Sequence, residues 1–288
     1  METLITTVTD GQKKQVKRFA EDAVDRAIAE GLLDKDGIQK LIENGDEFQA
    51  RIITGIKELS VSNQFADEEV ESSCAYPKGY KVKGITEQTN ILRQLFPGIG
   101  FADEKIAEQP VPANAEGWFA IPKWQMLALT YGKAVEKVLA MIASKRKFYN
   151  YRDGQLGAEY LKQHAKTVKM FQKLGDEQKD FDILVVPAQF GLRHKGRSVR
   201  RAREVFQANE FGLGAFAIGI MLLTHPEREV QWEQLHVDCA GDEFSPGAGG
   251  DFSSAPIFRF HDGKVEFGAG WCGLAREYYG SASAFVSQ

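Results

Sequence analysis

Cysteine is scarce in this chain: Cys74, Cys239 and Cys272 are three in 288 residues, an odd count without CxxC spacing. That fits neither a disulfide framework nor a zinc knuckle, and a reducing compartment is the simpler expectation. Long apolar runs are missing too. The longest, FGLGAFAIGIMLLT over 211–224, falls short of the roughly 20 residues needed to span a bilayer, so it reads as a buried helix and no membrane partner is expected. The opening METLITTVTDGQKKQ carries no basic region, apolar stretch or small-residue cleavage site of a secretory signal, which makes the cytoplasm the expected location. Internal repeats and low-complexity tracts do not stand out.

What is present is the makeup of a globular protein: 43% hydrophobic and 26% charged residues, enough for one large domain or two smaller ones. The net charge of −4 conceals a division. Residues 1–76 hold 9 Lys/Arg against 16 Asp/Glu, whereas residues 133–203 hold 17 against 7. A near-neutral sum argues against general adhesion to nucleic acid, but a concentrated basic stripe can hold a polyanion locally.

Along the chain, residues 1–60 read as a helical N-terminal region, with Val16, Phe19, Ala20, Ala23 and Ala27 near one helix face. Residues 61–80 lose that periodicity and gain acid, Ser and Pro, as a connector would. Residues 81–288 mix both periods. A short helix ends at FPGIG, GWFAIP is a strand, helices cover about 124–147 and 158–175, and FDILVVPAQF has the length and β-branched content of a buried strand. The last third is strand-rich, and the Asp-Gly pair inside APIFRFHDGKVEFGAGW signals a hairpin. The expected fold class is therefore α+β, a mixed α/β core with antiparallel C-terminal strands, plus a helical N-terminal extension.

The stretch FGLRHKGRSVRRAREVF, 190–206, carries six Lys or Arg against one Glu. Helical spacing puts Val199, Ala202, Val205 and Phe206 on one face and Arg197, Arg200, Arg201 and Glu204 on another, with Ser198 as N-cap. Arginines would then crowd the first turn, where the helix dipole disfavours cations by about 0.3–1 kcal/mol each. A bound phosphate would relieve the conflict, held by free amides and by Arg193, His194, Lys195, Arg197, Arg200 and Arg201. The loop is neither a Walker A sequence nor a dinucleotide fingerprint. The competing reading is a solvated face whose arginines pair with carboxylates elsewhere, the acidic N-terminal region among them.

Two neighbouring segments bear on that choice. KRKFYNYRDG interleaves Lys145, Arg146 and Lys147 with Phe148, Tyr149 and Tyr151, a combination that lets bases stack on rings while cations meet phosphates; it also suits an ordinary helix C-terminus. Lys162, Lys166, Lys169 and Lys173 form a single basic stripe, which a solvated helix face would equally show.

Candidate chemistry gathers in LHVDCAGDEFSP. On a strand His236 and Asp238 share a face, and Asp242 lies in the turn beyond. The first two could supply metal ligands or a base with its orienter, but the remaining ligands of a metal set cannot be assigned and no cofactor is indicated. Cys239 reads as structural, His261 as a turn residue and His225 as a cation ending the apolar helix; Trp118, Phe119 and Trp124 would line a pocket or pack the core.

At AEGWFAIPKW, DILVVPAQFGLRHKGRSVRRAREVF and VDCAGDEFSP the sequence resembles a family of bacterial proteins with no assigned activity, from about residue 76 to the C-terminus. The resemblance implies a bacterial, cytoplasmic setting and carries no ligand. The leading expectation is binding of RNA, DNA or another phosphate-rich partner through residues 145–203. One alternative is an enzyme on a small phosphorylated or nucleotide substrate, with the same arginines as clamp and His236, Asp238 or Asp242 at the reacting group. Another is a protein-interaction or assembly factor that uses its acidic N-terminal helices and hydrophobic C-terminal strands.

Overall fold

The computed structural model describes residues 8–60, 63–247 and 249–286. Residues 1–7 of the expected helical region and 61–62 of the expected connector lie outside them. The chain divides into two units, Met1–Val61 and Ser62–Gln288.

The first unit is helical, as its 3.6-residue periodicity predicts. Helix α1 (Asp10–Ala29) opens with a reciprocal capping box between Thr9 and Gln12, and α2 (Lys35–Glu43) is capped by the Asp34 carboxylate. Helix α3 (Gly45–Ser60) follows. Neither α1 nor α2 has a buried residue.

The second unit is an α+β fold built on two sheets. In the first, β1 (Gly117–Pro122), β4 (Ile183–Gln189), β11 (Ser283–Phe285) and β5 (Glu210–Gly212) lie side by side in that order, all antiparallel. Every residue of β4 is buried, which is why it reads as an unbroken apolar run. Helix α8 (Ala215–Thr224) is buried at every position, and a helix that is apolar all round must be covered on all sides. It packs on β1, on α4 (Ile85–Leu95) and on α5 (Tyr131–Lys145). Gly219 permits the α5–α8 approach, since a Cβ there would stand 2.5 Å from Val138 Cγ1.

The second sheet runs β10 (Tyr279–Ser281), β6 (His236–Asp238), β8 (Ser254–His261), β7 (Asp242–Phe244) and β3 (Leu161–Gln163). Strand β9 (Lys264–Trp271) forms the expected hairpin with β8, and β2 (Phe148–Asn150) pairs with β9 in parallel. The hairpin turns on Asp262 and Gly263, both at positive φ (49° and 71°), the backbone that an Asp-Gly loop supplies.

Several boundaries differ from those expected. The helix drawn over 124–147 begins at Tyr131, because Thr130 caps it and Trp124–Met126 forms a separate 3-10 turn. Helix α6 (Ala165–Glu177) starts later than 158, after β3. The apolar run 211–224 is strand first and helix second. Residues 63–80, expected as a connector, belong to the second unit: Glu69 bridges to Arg197 in antiparallel fashion, and the Val70 amide donates to Gly196 O at 2.8 Å. The acidity that looked like solubility in a linker is charge directed at the basic segment.

Candidate functional site

Helix α7 (Val199–Val205) forms where its amphipathic spacing places it, and Ser198 Oγ caps it by accepting from the Arg201 amide at 3.0 Å. The expected anion site is nevertheless occupied from within. Glu68 takes both Nε and Nη2 of Arg200 and accepts from the Ser198 hydroxyl at 2.6 Å. Glu69 meets Arg197 at 3.3 Å and Arg201 at 2.6 Å, and Arg201 also reaches Glu204 at 2.9 Å. Arg193 pairs with Glu210 at 3.2 Å and with Asn114 at 2.7 Å; the buried His194 donates from Nε2 to Glu210 at 2.7 Å. Lys195 donates to Cys74 O. The premise of unanswered arginines at a helix entrance is thereby corrected, and His194, whose pKa burial lowers, already spends its Nε2 on Glu210.

The candidate acid residues divide. His236 and Asp238 share a face of β6, but His236 Nδ1 lies 3.2 Å from Glu229 and Asp238 accepts from Arg276 at 2.7 Å. Among the described residues no three His, Cys, Asp or Glu side chains converge on a metal-sized site. Cys239 is buried in the main core, where burial pushes its thiol far up. His225 does end α8, but as a neutral group: burial and the nearby Lys83 charge lower it to about 4, and Nε2 accepts from the Lys83 amide at 3.0 Å.

Asp242 is different. It is fully buried in β7, and its carboxylate receives the Ala215 amide at the start of α8 (2.7 Å) and the Tyr131 hydroxyl (2.8 Å). Burial pushes its pKa up to about 7, although both hydrogen bonds and the charge of Arg203 pull the other way. The aligned amides of α8 favour a negative charge there. Gly214 makes the approach possible, because a Cβ on it would fall 2.3 Å from Asp242 Oδ1 and 2.5 Å from the Tyr131 oxygen.

Tyr131 turns its hydroxyl inward and its ring toward a cleft of about 480 Å³. Trp124 and Phe216 continue the aromatic wall, at centroid distances of 6.1 and 6.5 Å from Tyr131, and Phe171 of α6 faces them with Leu184 of β4. Gln125, Gln163 and Gln172 also line it, with Lys123 and Asp176. The Lys123 ammonium is held by the Gln178 carbonyl at 3.1 Å. None of the arginines expected as a clamp lines this cleft. The arrangement suits a molecule with a flat apolar body and a hydrogen-bonding edge.

Of the residues singled out from sequence, Trp124 lines the cleft and Asp242 is hydrogen-bonded to Tyr131, which lines it. Phe119 is core, and Trp118 donates to Gln109 O. Tyr131, Phe171, Phe216 and Gln163 were missed, since they come from separate elements and no spacing relates them. No family model, curated protein or solved structure matches the chain.

Proposed function

We propose that the second unit binds a small molecule with a planar apolar body in the cleft bounded by Trp124, Tyr131, Phe171 and Phe216, and that Asp242 makes this binding sensitive to protons. The observation that carries the reading is the Tyr131–Asp242 hydrogen bond: one residue contributes both a wall of the cleft and the partner of a buried carboxyl that titrates near neutrality. A ligand that shifts the Tyr131 ring alters a hydroxyl donated to that carboxyl, so occupancy and protonation are linked. The same pair favours a second reading, proton transfer to a bound substrate, with Asp242 as acid and Tyr131 as relay.

The test is native-state binding of 1-anilinonaphthalene-8-sulfonate, a flat apolar fluorophore, followed by its fluorescence at neutral and at mildly alkaline pH. Saturable enhancement that changes between the two is the expected result. A dye that stays dim in the folded chain removes the cleft from consideration, and enhancement indifferent to pH removes the role of Asp242.

A further inference from the structure

The basic charge of residues 145–147 is not answered in the way that of α7 is. Lys145 and Lys147 are exposed and have no carboxylate partner among the described residues. Only Arg146 is engaged, donating to the carbonyls of Pro226 and Glu229 at 2.8 and 2.6 Å. Directly after them the chain enters β2, on the edge of the second sheet. Phe148 turns into the core, while Tyr149 and Tyr151 are 51% and 50% exposed, with ring centroids 4.6 Å apart.

Register carries this surface inward across the sheet. Tyr149 is level with Glu266 on β9, and Glu266 is level with Arg259 on β8. The buried Glu266 carboxylate holds Arg259 at 2.8 Å and Lys264 at 3.5 Å, and both cations lie over the rings: Lys264 Nζ is 5.8 Å from the Tyr149 centroid and the Arg259 guanidinium 5.8 Å from that of Tyr151. Next along the same face of β9 come Gly268 and Gly270, which add no side chains above the floor. Beyond them Arg276 lies over the Tyr279 ring at 3.5 Å.

We propose that this face of the second sheet binds single-stranded nucleic acid, with Tyr149 and Tyr151 stacking on bases and Lys145, Lys147 and Lys264 meeting phosphates. Exposed rings on a sheet accept the faces of bases only when those bases are unstacked, which a duplex does not offer. Cations held close to the rings place positive charge where the backbone of a strand with bases stacked on them would run. The site shares no residue with the cleft, so neither reading depends on the other.

The test uses the full chain and fluorescein-labelled oligothymidylate of about 12 nucleotides, alone and annealed to its complement, followed by anisotropy at roughly 50 and 200 mM KCl. The single strand binds more tightly than the duplex, and its affinity falls by about 10-fold or more over that salt interval. Tyr149→Ala with Tyr151→Ala weakens it by about 10-fold or more, whereas Tyr149→Phe with Tyr151→Phe retains it, at unchanged melting temperatures. Lys145→Gln with Lys147→Gln, at two exposed positions, flattens the salt dependence. Absence of single-strand binding at the lower salt overturns the proposal, as does equal affinity for the duplex, or a folded Ala pair that binds as well as wild type.

Discussion

Glu68 grips Arg200 across 132 residues of sequence, and its carboxylate stands where the first turn of α7 would otherwise face solvent. The arrangement resolves an electrostatic conflict. Arginines in the opening turn oppose the helix dipole, and a carboxylate at the same entrance satisfies dipole and guanidinium together. Arg200 in turn draws the Glu68 carboxyl below its ordinary range.

Removing that carboxylate takes the ion-pair partner from Arg200 and the acceptor from the Ser198 hydroxyl. Glu68→Ala should cost roughly 1–3 kcal/mol in urea unfolding, with an unchanged m-value. Combined with Glu69→Ala it removes the carboxylate partners of Arg197 and Arg200 and one of those of Arg201, and the double variant should elute from immobilised heparin at higher salt than wild type. Identical elution would mean that these glutamates do not screen the arginines.

The cleft can be filled without touching the core. Val168 lines it and is 46% exposed, so Val168→Trp should fold with wild-type stability and lose most of the dye enhancement. A variant that unfolds cooperatively at the wild-type temperature and still lights the dye places the binding elsewhere.

The buried carboxyl of Asp242 makes a prediction with a definite sign. Its folded pKa of about 7 lies above the ordinary carboxylate value, so the native state holds a proton that the unfolded chain releases between about pH 4 and 7. Its contribution to stability is greatest at the acid end of that window and declines as pH rises through 7. His225, lowered to about 4, acts in the opposite direction over much of the same range. The difference between Asp242→Asn and wild type isolates the carboxyl: the melting temperature of the variant relative to wild type should fall steadily from pH 8 to pH 5. A constant difference would place the Asp242 pKa outside the window.

Glu210 titrates in the other sense. Burial opposes its charge, but the hydrogen bond and charge of His194, the hydrogen bond from Ser283 and the charge of Arg193 outweigh burial and hold it at about 2. A depressed carboxyl stabilises the fold above its unfolded pKa, and that contribution disappears as pH falls from about 4.5 to 2. Glu210→Gln should cost on the order of 3 kcal/mol at neutral pH and much less near pH 2.5, measured by chemical denaturation. Equal cost at both values would show that the network does not depend on ionisation.

Local patterns announced the elements that are local. The Asp-Gly hairpin, the all-apolar α8 and the buried β4 each follow from a window of a dozen residues or fewer. The three-residue strands β3, β5 and β7 did not show, because their conformation is imposed by partners rather than propensity. The basic segment was legible as a helix with an electrostatic fault, yet the two carboxylates that cure it lie in a stretch whose composition imitates a linker. Asp242 could be noticed as an acid near a turn; its pairing with Tyr131 could not, because the cleft draws on β1, β4, α5, α6 and α8 at once.

The docking of residues 68–70 on α7 also orders events during synthesis. The strap leaves the ribosome more than a hundred residues before the helix that receives it, and must remain hydrated until Arg197–Arg201 appear. Its run of Asp67, Glu68 and Glu69 suits that delay, since a charged segment can wait in water without recruiting other chains, and its late closure is a long-range step of the kind that slows folding.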